Sequence, residues 1–189
     1  MRAAAIAAIG ALALATLSGC QLLTATAPVH TPTALEACAT GHTWELDNDS
    51  LAASAKVAMN ERGLGVTVAV AGTQRLVWDT DFSMTFDTDL TFTGTVDGGT
   101  PGFVETMTAQ GQSTGRAYFS GEVAVPRDWN EDLEVTTTAT QDGAPVDPVF
   151  SWFPLWIDDT VGLVTTCADD QLQIEARQGH LAWTFHRVD

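Results

Sequence analysis

From Val66 onward the chain keeps a two-residue period, and that period restricts the fold more than any other feature. Val66, Val68 and Val70 alternate with Thr67, Ala69 and Ala71, and Gln74, Leu76 and Trp78 keep the same parity across Gly72. Phe82, Met84 and Phe86 alternate with Ser83 and Thr85; Leu90, Phe92, Gly94 and Val96 alternate with Thr91, Thr93 and Thr95. Such alternation buries one face of a strand and wets the other. The breaks DTD at 79–81, DTD at 87–89 and DGGTPG at 97–102 carry turn residues. Residues 66–78 read as one long bent strand or as a hairpin.

Further strands are expected near 103–110, 112–119, 132–140, 161–167, 171–177 and 180–187, with Arg177 to His180 turning between the last two. PRDW at 126–129 reads as a loop with Trp129 packed down. HTWEL at 42–46 reads as the first strand. After it, DNDS leads into LAASAKVAMNER, where Leu51, Ala55, Ala58 and Met59 share one helical face. Asn48, Asp49 or Ser50 caps that helix and Gly63 ends it. The expected fold is mainly β: an antiparallel meander curled into a barrel or half-barrel, with one α-helix after the first strand. A β-sandwich is the alternative.

The first residues, MRAAAIAAIGALALATLSGC, hold one charge, Arg2, before an apolar run that ends in small residues. That is the pattern of an export signal, and the run is marginal in length for a bilayer span. Leu17-Ser18-Gly19-Cys20 resembles the lipobox of bacterial lipoproteins. The resemblance implies a signal peptide over 1–19, a lipid thioether on Cys20, and a protein held on the extracytoplasmic face of the cell membrane. Two or more acyl chains hold a protein stably there, each methylene contributing about 0.8 kcal/mol. Residues 20–37 then read as the lipidated cysteine and a flexible Thr- and Pro-containing tether, and 38–189 as a single β-rich domain.

Removing the signal leaves seven basic side chains against 24 acidic ones, a net charge of −17. Such a charge repels nucleic acid and anionic headgroups, so the lipid alone must provide the anchor. With Cys20 lipidated, Cys38 and Cys167 remain, in a compartment where disulfides persist. Their bond would close a loop worth about 5 kcal/mol at most in the chain-entropy model.

There is no SxxK, HExxH or phosphate loop, and the one GxSxG match, GQSTG at 111–115, puts Ser113 inside an expected strand rather than at a strand-to-helix turn. His42 and His186 would meet only if the first and last strands pair, and edge histidines are mostly solvated. The expectation is a protein that is not an enzyme and takes no cofactor. Asp79 and Asp81, Asp87 and Asp89, Asp158 and Asp159, and Asp169 and Asp170 fall at expected strand ends. Calcium wants six to eight hard oxygens, but no EF-hand spacing occurs and aspartate is an ordinary turn residue, so no metal is assigned. The most suggestive stretch is VFSWFPLWI at 149–157, with Pro148 before it and Pro154 inside. It reads as a plug across one end of the barrel, or as a ligand-facing lid or partner-binding patch. Trp78, Phe92, Trp152, Trp156 and Trp183 are the candidate ligand-binding residues.

Trp44 shortly after Gly41, the run of alternating strands, and Arg187 on the last strand together resemble the lipocalin-like barrel. GHTW has one residue more than that family's G-x-W, and a helix directly after the first strand departs from its usual order. The whole chain is similar to single-domain lipoproteins of actinobacteria, a likeness that implies no activity. Two readings follow: a lipoprotein holding a small apolar or amphipathic ligand in its barrel, and an interaction lipoprotein with a filled barrel that binds another envelope protein.

Overall fold

The period-2 segments are strands, and most are longer than their turn residues suggest. The computed structural model describes residues 30–61, 63, 65–96, 102–150, 157, 160, 162–176 and 181–189. The elements run α1 (Ala34–Ala39), β1 (His42–Leu46), α2 (Asn48–Glu61), β2 (Val66–Trp78), β3 (Ser83–Val96), β4 (Phe103–Ser120) and β5 (Val123–Gln141). They continue with β6 (Ala144–Val146), β7 (Leu163–Ala168), β8 (Gln171–Ala176) and β9 (Ala182–Arg187). The sheet order is β4-β3-β2-β1-β9-β8-β7-β5, and β5 pairs back onto β4. The result is a closed eight-stranded antiparallel barrel rather than a sandwich, with β6 a short arm on β5.

Two expected breaks lie inside strands, and the open reading of residues 66–78 resolves as a single bent strand. Residues 66–78 form one strand, bent at Gly72 (φ +100°). Asp87-Thr88-Asp89 is not a turn, because Thr88 keeps the parity of Phe86 and Leu90. Its side chain faces inward and accepts from Gln74 Nε2 (3.0 Å), while Asp87 and Asp89 accept from Gln112 and Gln110 on the outer face. β4 runs unbroken through Gly111 (φ +136°). A backbone that bends in a region L side chains avoid needs glycine, and such kinks curl long strands into a barrel.

PRDW at 126–129 is likewise part of β5 and not a loop. The register shifts between Thr114 and Arg116, and Asp128 takes a left-handed φ of +54°. This bulge turns Trp129 against Gly115, where a Cβ would lie only 2.3 Å from the indole.

The tether reading is corrected at its end. Residues 34–39 are helical because Thr33 and Glu36 form a capping box: Glu36 N donates to Thr33 Oγ1 (3.2 Å) and Thr33 N to Glu36 Oε2 (2.6 Å). The compact unit accordingly begins at Pro32. The disulfide between Cys38 and Cys167 is present, and it ties α1 to β7. The cap of α2 is Asp47, one residue before the expected positions; its carboxylate accepts from Ser50 N (3.0 Å). That bond holds the Asp47 pKa below its ordinary value.

Strand length decides where the barrel is complete. β2 to β5 hold 13 to 19 residues, whereas β1, β7, β8 and β9 hold five or six. Where the short strands pair, the interior is solid: Trp44, Trp78, Met84, Phe86, Leu172, Ile174 and Phe185 are all buried to 1 % exposure or less. Each such side chain contributes about 1.5–3 kcal/mol. Trp44 also donates to the Ala39 carbonyl (3.1 Å) and lies under the Arg187 guanidinium, 5.1 Å from its ring centre.

Beyond Leu46, α2 takes the place of β1. Asn48 Nδ2 donates to Gly72 O (2.9 Å), Asn60 Oδ1 accepts from Val66 N (3.2 Å), and Ser54 Oγ accepts from Ala182 N (2.8 Å). The helix thus bridges β2 and β9, with Leu51, Ala55, Ala58 and Met59 buried.

Gly72→Ala tests the bend. The added Cβ would stand 2.0 Å from the Asp89 carbonyl oxygen, at a φ that costs a non-glycine residue about 1–3 kcal/mol. Thermal unfolding followed by circular dichroism should show a melting temperature lowered by several degrees; an unchanged value would contradict the bend.

Candidate functional site

Among the described residues, β7 pairs with β5 only at Val123 and Ala124, and β6 pairs with it only from Ala139 to Gln141. Between those points no described strand lies on the side of β5 away from β4. The chain leaves the sheet after β6, beside Ala139, and rejoins it with β7, beside Ala124, and the connection contains the aromatic stretch. Its described ends are anchored: Phe150 is 7 % and Ile157 3 % exposed, and Phe150 meets Phe103 edge to face at 5.6 Å. Trp152 and Trp156 lie outside the described residues, as does Cys20.

The inner face of β5 is not filled like the rest of the interior. Val135 pairs with Ala109 across the ladder; Ala109 is 2 % exposed and Val135 41 %. Leu133 and Thr137, on the same face, are half-buried, and Glu131 is exposed. Their partners on β4 are Gly111, Met107 and Ser113. These positions form a strip along β4 and β5 with an apolar middle and a carboxyl at each end. At one end, Glu131 is exposed as a residue, but partial desolvation of its carboxyl raises its pKa from the ordinary 4.5. At the other, Glu105 pairs with Ala139 and is wholly buried. Its Oε2 accepts from the backbone N–H groups of Val149 (2.7 Å) and Phe150 (3.0 Å), while Oε1 has no hydrogen-bond partner.

The sequence candidates fall in different places. Trp78 is fully buried, stacked on Phe119 at 5.0 Å, and packs the solid end; its Nε1 has no partner. Trp183, 5 % exposed, sits opposite Ile174 in the core. Phe92, also 5 % exposed, shares a transverse row with Met107 and Thr137, and so flanks the strip. Glu105, Leu133 and Val135 were not singled out by sequence. Their signal was parity: Glu105 is an acid at an inward position between Phe103 and Met107.

β1 and β9 do pair, yet His42 and His186 do not meet. Antiparallel register puts Trp44 opposite Arg187 and Glu45 opposite His186, so the two histidines fall toward opposite ends of β1. His42 instead reaches Asp189 (3.4 Å) and His186 reaches Asp47 (3.3 Å). Of the acidic pairs, Asp158 and Asp159 lie outside the described residues, and the turn at Asp79 and Asp81 is tied up by Ser83. Asp81 accepts from the hydroxyl and backbone N–H of Ser83, which lowers its pKa. Among the described residues no cluster of side chains is arranged to hold a metal ion.

No family model matches the chain, and no curated protein matches it.

Glu131→Gln tests whether the Glu131 end of the strip is drawn out of water. A carboxyl whose folded pKa lies above the unfolded one contributes stability below the unfolded value, about 4.5, and loses it as pH rises through the folded value. The amide has no such loss. Melting temperatures of variant and wild type should keep a constant offset below about pH 4.5 and shift in favour of the variant above it. A constant offset from pH 3.5 to 7 would place Glu131 in ordinary solvent.

Proposed function

We propose that the protein is a lipid-anchored carrier of the cell envelope. In this reading it is held on the extracytoplasmic face of the membrane through Cys20 and binds a small apolar or amphipathic molecule along the inner wall of its barrel. The observation that carries the binding part is Val135, an inward-facing residue left 41 % exposed beside a buried ladder partner. An apolar inner wall open to solvent is the kind of concave, mostly apolar surface that small ligands use, with a few polar groups to orient them. Phe92 flanks it. The anchor rests on LSGC after its apolar run, and the Cys38–Cys167 bond agrees with an oxidising compartment. The Trp44–Arg187 contact supports the likeness to lipocalin-type barrels. The reading involves no catalysis, no cofactor and no nucleic acid.

A second reading is favoured by a different observation. Val146 and Val149 are 41 % and 66 % exposed, close in sequence on the β6 arm and just beyond it. Exposed apolar residues in such a position suit docking onto another envelope protein.

Cys20→Ala should move the protein from the membrane fraction to the soluble one, since in this reading the lipid on Cys20 is the anchor. Retention of an unprocessed form in the membrane would make the apolar run itself the anchor. Native mass spectrometry of gently purified protein should find a co-purifying small molecule. Leu133→Glu with Val135→Glu should lose it while far-UV circular dichroism stays unchanged. A mass equal to the bare lipidated chain in every preparation would favour the docking reading.

A further inference from the structure

Resting on the carrier reading, we propose that the bound molecule is an amphipathic amine and that Glu105 receives its ammonium group. Glu105 occupies an inward position on β4 between Phe103 and Met107 and has no exposed surface. One carboxyl oxygen is committed to the Val149 and Phe150 N–H groups, and the other accepts nothing. None of the ion pairs among the described residues reaches it. A bare buried acceptor is costly, and folded proteins seldom leave one.

The surroundings say what kind of partner completes the site. Side chains beside Glu105 on the wall are Phe103, Met107 and, across the ladder, Ala139, and none of these can donate. No Lys, Arg or His stands at an inward position of β2, β3, β4 or β5. A water molecule would satisfy the oxygen alone; an ammonium group supplies both donors and an opposite charge. Its alkyl chain would then run along the wall that begins next to Glu105, over the buried Met107 and Ala109 of β4 and the partly exposed Val135 and Leu133 of β5. Glu131 closes the far end, so the strip carries acids at both ends and no base. That arrangement disfavours carboxylate and phosphate ligands by like-charge repulsion as much as it favours a cation.

The test uses the full chain in phosphatidylcholine nanodiscs, with empty nanodiscs as the blank. Octylamine, octanol and octanoate are titrated at pH 7 by calorimetry. Octylamine should bind at least about tenfold more tightly than octanol, with octanoate weakest. Glu105→Gln keeps an oxygen for the Val149 and Phe150 N–H groups and removes the charge. It should weaken octylamine at least about tenfold and leave octanol unchanged. Equal affinity for the three probes, or octylamine binding unchanged in Glu105→Gln, overturns the amine assignment and leaves the carrier reading standing. Wild-type protein that binds none of the three overturns both. If the variant lacks the wild-type far-UV spectrum, the comparison of the three probes on wild type decides alone.

Discussion

A barrel closes only where each strand edge finds a partner, and here the short strands end before the long ones do. β1, β7, β8 and β9 supply one ring of pairing; β2 to β5 extend well past it. Every backbone N–H and C=O on the projecting edges must be satisfied in some other way. On the β2 side α2 does this, through Asn48 and Asn60 side chains on the strand's backbone. On the β5 side the chain between β6 and β7 leaves and returns at the two ends of the gap, and Glu105 fixes its first residues. The partly exposed inner wall lies at that second, less regular seam.

Inward polar side chains are more numerous in the long-strand half of the barrel than in the short-strand half, where Thr165 is one of the few. In the solid half the large side chains fill the space, and the Arg187–Trp44 contact covers one end of the ring. Arg187 also donates to the Asp169 carbonyl (3.1 Å) and so ties β9 to the β7–β8 turn. The long-strand half instead places Gln74, Thr88, Ser113 and Glu105 at inward positions. Gln74 and Thr88 satisfy each other in part, and Gln74 Oε1 and Glu105 Oε1 have no partner. A core built only for stability would place apolar side chains there, because a half-satisfied polar group costs more than an apolar one.

The outer face of the same strands follows a different logic. Thr91 and Thr93 of β3 stand beside Thr108 and Thr106 of β4, which stand beside Thr136 and Thr138 of β5. Thr108 and Thr136 share a hydroxyl hydrogen bond of 2.6 Å. Such cross-strand pairs contribute about 0.2–1 kcal/mol each and keep register in a sheet whose inner contacts are incomplete.

Local chemistry was enough to read much of this from sequence. Alternation gave the strands and their inward faces, Gly63 and the Leu51–Met59 face gave α2, and the cysteine count with LSGC gave the Cys38–Cys167 pair. The capping box at Thr33 and Glu36 was equally local and passed unnoticed among the threonines of the tether. What failed was punctuation: Asp87, Asp89, Pro126 and Asp128 read as turns, yet side-chain partners on neighbouring strands and a bulge hold them in register. The separation of His42 from His186, the solid packing of Trp78 and Trp183, and the open wall at Leu133 and Val135 depend on which strands meet and over what length. Those are distances between residues far apart in the chain. Periodicity fixes which way a side chain points, and only the closed barrel decides whether anything stands opposite it.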